Sequence, residues 1–217
     1  MRSIIKGKEP RSLVEHRAAA PSTYEGYTKK DELRAALVAE QRGLCCYCMS
    51  RIGRTSDVMK IAHWRSQTVY PDQQLTYRNL LGACLGNKGK PRKQQHCDTR
   101  QGNEDLKFNP ADPTHHGKLS IRFQSDGTIA SGDDDFNKEL NEVLNLNLPL
   151  LKNCRKEVLT AILEWWRSEK VRLKGSVPKK QLTRERDRRA GASGGEIEPF
   201  APVAVWWLDQ HLVGRKK

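Results

Sequence analysis

The sequence predicts an α+β domain in which a strand, strand, helix unit is pinned by four cysteines and flanked by helices. Three observations lead there. A Cys-x-x-Cys pair at Cys45 and Cys48 is answered by Cys84 and Cys97; two strand-like stretches and a helical turn follow one another between and just beyond those pairs; and apolar residues recur at helical spacing on either side. The 217 residues suit one domain with appendages, and a hydrophobic content of 36% allows only a modest core. Four stretches are expected: an N-terminal arm and helix over 1–42, the zinc-stabilised core over 43–110, a helical and β extension over 111–175, and a basic linker with a C-terminal helix over 176–217.

Asp31 to Arg42 reads as a helix because Leu33 and Leu37 share a face, acids fill its first turn and Gly43 stops it. Val58 to Trp64 and Gln74 to Leu81 read as short strands around a loop holding Tyr70-Pro71-Asp72. Cys97 to about Leu106 has room for one or two helical turns before the prolines of Asn109-Pro110-Ala111-Asp112-Pro113 end any helix. Leu119 to Phe123 reads as a strand with Ser125-Asp126-Gly127 as its turn, and Pro149 to about Lys174 as a long helix whose apolar face includes Leu151, Val158, Ile162 and Trp166. Residues 175–198 carry Gly, Ser, Pro and charge without apolar periodicity, which predicts a linker. Hydrophobicity returns from Phe200 to Val213, where Trp206 and Trp207 read as core or partner-docking residues.

The formal net charge is +13. It is concentrated in residues 45–110, with 11 basic against 5 acidic side chains, and 151–190, with 13 against 5, so both blocks are candidate polyanion surfaces. No apolar run is long enough to cross a membrane and no secretory leader is recognisable, so a cytoplasmic protein is expected. Cysteines there stay reduced, which favours metal ligation over disulfides.

A Cys-x-x-Cys spacing lets two thiolates grip one tetrahedral zinc from a tight knuckle. Cys84 and Cys97, twelve residues apart across the basic loop Gly86 to Gln95, supply a second pair, and four thiolates would close a structural site. Cys46 has the wrong spacing and Cys154 lies on an apolar helix face, so both read as ordinary thiols; His96 is a substitute ligand.

Between the pairs stand His63 and Asn79, and Asp98 follows Cys97. The segments Gly43-Leu44-Cys45-Cys46-Tyr47-Cys48, Ile61-Ala62-His63-Trp64-Arg65-Ser66-Gln67, Tyr77-Arg78-Asn79-Leu80-Leu81-Gly82-Ala83-Cys84 and His96-Cys97-Asp98-Thr99-Arg100-Gln101-Gly102-Asn103 together resemble the HNH nucleases, over residues 43–103. Lys6-Gly7-Lys8-Glu9-Pro10, and Leu144-Asn145-Leu146-Asn147 before a helix carrying Arg155, are similar to the nuclease subunit of Septu antiphage systems, which is also found beside some retrons. The resemblance implies a ββα-metal core acting as an endonuclease on foreign nucleic acid, DNA before RNA. His63 would be the base, Asn79 would orient it, and Asp98 with the residue at position 62 would hold a catalytic Mg2+ or Mn2+ beside the structural zinc. Arg65, Arg78, Lys88, Lys90, Arg92, Lys93 and Arg100 would meet the phosphate backbone.

Two positions depart from the pattern. The family carries an acid before the histidine, where this chain has Ala62; that reads as an introduced inactivating change, as weakened metal binding, or as the mark of a zinc-stabilised nucleic-acid-binding module without catalysis. Gln101 stands where relatives often carry lysine, removing a phosphate contact. The implied partners are an ATPase subunit of the ABC or SMC-like type and, for a retron-linked version, a reverse transcriptase with its RNA-DNA product.

Overall fold

The computed structural model describes residues 1–19 and 21–213, so the last four positions of the 176–217 stretch lie outside it. Its elements are α1 (Arg11–Ala18), α2 (Lys30–Gln41), β1 (Lys60–His63), β2 (Leu80–Ala83), α3 (Cys97–Gln101), β3 (Ile121–Phe123), β4 (Ile129–Ser131), α4 (Asp134–Lys138), α5 (Pro149–Arg172), α6 (Lys179–Arg189) and α7 (Ala201–Leu212). The architecture is α+β: two separate two-stranded antiparallel sheets, β1 with β2 and β3 with β4, among helices. No helix among the described residues is long and apolar enough to cross a membrane.

Helix α2 ends on Arg42 and Gly43, both in left-handed conformation, with Leu33, Leu37 and Val38 buried. The turn swings the chain into the cysteine knuckle, closed by a bridge between Leu44 and Arg51 and by the Cys45 amide on the Ser50 carbonyl at 2.8 Å. Gln41 fastens this turn to the hairpin. Its amide donates to the carbonyls of Leu44 and Gly82, and its carbonyl accepts from the Gly82 amide at 2.6 Å. A buried glutamine satisfied this way fixes the spacing of helix and strand.

Strands β1 and β2 pair with Lys60 opposite Ala83 and His63 opposite Leu80. The second strand starts later than the expected Gln74 and runs from Leu80 to Ala83, with residues 77–79 forming a single 3-10 turn instead. The cause is Asn79, whose Nδ2 donates to the carbonyls of Arg65 and Gln73 while its Oδ1 accepts from the Arg65 amide at 2.7 Å, so the loop bonds to a side chain in place of a ladder.

The N-terminal residues are packed rather than free. Met1 and Ile4 are buried, the Ile4 amide donates to the Pro110 carbonyl, and the Lys6 ammonium lies between the Glu40 carboxylate, the Leu80 carbonyl and the Tyr77 ring. The Leu144–Asn147 run clasps the basic loop to the extension: the Leu144 carbonyl accepts from the Cys97 amide, and Asn145 donates to the Lys93 and Gln95 carbonyls. Arg155, wholly buried, donates to the Gly127 and Leu146 carbonyls and to Asn147.

The expected linker over 175–198 contains a helix, α6, which packs on α7. Only Leu182 and Glu185 are buried in it, so there is no apolar stripe to read; Arg188 and Arg189 pair with Glu185 at helical spacing. Trp207 packs against Trp166 of α5 at 5.6 Å and on His211, and Trp206 against Phe123, which places both C-terminal tryptophans in packing. Helices α1 and α4 were not legible beforehand; Asp133 caps α4 by accepting from the Phe136 amide at 3.0 Å.

Candidate functional site

The knuckle, the end of β2 and the start of α3 bring Cys45, Cys48, Cys84 and Cys97 together, buried, with their sulfurs all within 4.8 Å. Cys45 Sγ is 3.9 Å from Cys97 Sγ and Cys48 Sγ is 3.7 Å from Cys84 Sγ. A tetrahedral zinc with arms of about 2.3 Å has sulfur-to-sulfur edges of about 3.8 Å, which these two distances match, so the set could hold that ion. Hydrogen bonds from Cys45 and Cys48 push the Cys84 thiol up, and burial pushes Cys97 up. Four thiols this close cannot all ionise alone, and a divalent cation removes the conflict. Cys46 and Cys154 stay outside the cluster. His96 Nδ1 lies 3.2 Å from Cys97 Sγ, a hydrogen bond to a ligand rather than a fifth donor. Gly86, at φ +55°, must be glycine, because a Cβ there would stand 2.1 Å from the His96 carbonyl that the loop returns to.

Beside this cluster lies a cleft of about 410 Å3 lined by His63, Asp98, Lys60, Tyr24, Ser66 and Asn103, with Lys88 also on its wall. His63 ends β1, buried, with Nε2 3.1 Å from the Gln74 carbonyl. A carbonyl only accepts, so Nε2 carries the proton and Nδ1 keeps its lone pair. The Tyr24 ring meets the imidazole edge-on at 4.5 Å. Burial lowers the pKa of His63, against a raising contribution from Gln74 and Asp98, and keeps the ring neutral at pH 7.

Asp98 follows Cys97 on α3 and is ion-paired with Lys60, whose ammonium also donates to Thr99 Oγ1 at 3.2 Å. Ala62 is wholly buried opposite Leu81 and offers no donor. Among the described residues, the four cysteines are the one group of three or more His, Cys, Asp or Glu side chains close enough to share a metal. The residues present therefore do not fit the Mg2+ or Mn2+ expected at Asp98 and position 62: one carboxylate remains, and an ammonium already holds it.

The expected backbone-binding side chains divide. Lys88 lines the cleft, and Lys90, Arg92 and Lys93 are exposed on the same loop. Arg65 is spent on Asp105 and on the Trp64 and Tyr70 rings, and Arg100 on the carbonyls of Arg92 and Glu142. Arg78 lies away from the cleft, in a groove with Lys6 and Arg17. Gln101 is a buried clamp, accepting from Tyr47 Oη and donating to the Trp64 and Glu104 carbonyls. Sequence reasoning missed Lys60, Tyr24 and the Gln74 carbonyl as cleft groups. Lys60 stood in the basic block, yet strict strand alternation separates it from His63, and no local signal marks the other two.

No family model matches this chain. A stretch of 124 residues is 26% identical to the Septu protein PtuB of Bacillus thuringiensis, covering 54% of this chain. It spans about two-fifths, 42%, of that protein's length.

Proposed function

We propose that the chain is the HNH-type endonuclease subunit of an antiphage complex of the Septu kind, hydrolysing phosphodiesters of foreign nucleic acid. The observation that carries this reading is His63: neutral, tethered through Nε2, and set with Nδ1 free in a cleft walled by Lys60 and Lys88, on a hairpin anchored to the cysteine cluster. In that role Nδ1 takes a proton from water while the water oxygen bonds to phosphorus, and the P–O ester bond breaks, its oxygen leaving with the bonding pair and taking a proton from solvent. Asn79 acts at one remove. By holding the backbone at Arg65 and Gln73 it fixes the Gln74 carbonyl, and the carbonyl fixes the tautomer of His63. The exposed loop cations draw in the phosphate backbone, and a PtuA-like ATPase is the partner subunit.

A second reading, a zinc-stabilised nucleic-acid-binding module without catalysis, has Ala62 and the Lys60–Asp98 pair in its favour. Cleavage of plasmid DNA and bulk tRNA with Mg2+ or Mn2+, comparing the chain with Ala62→Glu, each with and without the ATPase, separates the two. Cutting by Ala62→Glu that disappears on adding His63→Ala supports the nuclease. Inert proteins that still fold and bind nucleic acid leave the binding module.

A further inference from the structure

Lys60 sits at the start of β1, three residues before His63, and its side chain reaches across the cleft to α3. Two of its three ammonium protons are committed, one to the Asp98 carboxylate and one to Thr99 Oγ1, whose own hydroxyl donates to the Leu85 carbonyl at 2.9 Å. The third is left for the cleft. Both partners are held: Asp98 by its place on α3 directly after a cluster cysteine, Thr99 by its bond to the loop. The Lys60 side chain is 32% exposed and that of Asp98 15%, so the pair is shielded from bulk water yet open to a ligand. With Ala62 contributing nothing, a divalent ion arriving here would meet one carboxylate and a fixed positive charge beside it.

We propose that the Lys60 ammonium is the resident cation of this cleft, seated on Asp98 in place of a divalent ion, and that the nucleic-acid backbone meets it through the remaining N–H. The phosphate half rests on reading the cleft as a nucleic-acid site; the exclusion of a divalent ion does not. A lysine in this position gives the cleft a cation that no chelator removes, so binding of nucleic acid becomes independent of Mg2+.

The test uses the 217-residue chain loaded with zinc. Free Mn2+ is followed by electron paramagnetic resonance for the chain, Asp98→Asn, Lys60→Met and the Lys60→Met/Asp98→Asn pair, with zinc content and circular dichroism confirming each fold. The chain and Asp98→Asn should be indistinguishable, Lys60→Met should bind about one Mn2+ at least about tenfold more tightly, and the double variant should lose that gain. Asp98-dependent Mn2+ binding by the unaltered chain overturns the proposal, even if Lys60→Met fails to fold. Separately, duplex binding without divalent ions should lose about one unit of salt slope in Lys60→Met; an unchanged slope removes the phosphate contact. If no nucleic acid binds under any condition, the functional reading fails while the Mn2+ comparison still judges where Lys60 sits.

Discussion

Cys97 and Asp98 are neighbours in sequence, and each faces a place where a cation belongs. The thiol of Cys97 joins three other buried sulfurs, all within 4.8 Å of one another. The carboxylate of Asp98 stands without a second acid and is held by Lys60. The contrast shows that a metal site is set by the number and type of donors that the fold brings together, not by one suitable side chain. Four soft donors suit an ion such as zinc, whereas a hard cation at Asp98 competes with an ammonium that is part of the chain.

The largest expected effect lies on the sulfur side. Structural zinc in small modules is worth about 10–16 kcal/mol in apparent binding energy, comparable to the whole stability of a domain. Cys84→Ser, or a strong chelator, should therefore abolish cooperative unfolding near residues 43–110, read by circular dichroism, and native mass spectrometry of the unaltered chain should show about one zinc. A Cys84→Ser protein that melts where the parent does would break the comparison.

Next come the two lysine ion pairs. Lys6 and Glu40 are buried, with side chains 8% and 5% exposed, while Lys60 and Asp98 open on a cleft. Lys6→Met should cost about 3–5 kcal/mol because it strands a buried carboxylate. Lys60→Met should cost less, since Lys60 is 32% exposed and the Asp98 carboxylate it leaves opens on the cleft. Denaturant melts of the two variants decide it, and equal losses would mean that Lys60 is as structural as Lys6.

A smaller effect follows pH. Burial lowers the folded-state pKa of His63 below its ordinary value of about 6.5, so the unfolded chain binds a proton first. His63 thus contributes stability that is present above about pH 6.5 and is lost as pH falls through the lowered folded value. Histidine ring NMR should show it titrating below the ordinary value of about 6.5, and His63→Ala should flatten that part of the stability profile. Smallest of all, Cys154→Ser should leave zinc content and melting temperature unchanged, because its sulfur is outside the cluster.

The cysteine frame was legible because ligand chemistry imposes short spacings: a knuckle gives the first pair, and the polar loop returns the second. Helices α2 and α5 were legible from their apolar stripes. Helix α6 was not, because its order comes from ion pairs and from packing on α7 rather than from a stripe of its own. The second strand begins only at Leu80, since the β-rich residues before it yield to the bonds made by one asparagine.

The sequence by itself determined the order of strand, strand and helix and the set of four sulfurs, because those depend on local spacing and side-chain type. Only the tertiary structure decided which groups face one another. It set Gln74's carbonyl on His63, spent Arg65 and Arg100 on internal contacts, and carried Lys60 to Asp98, because such pairings depend on distances between elements that no local pattern encodes.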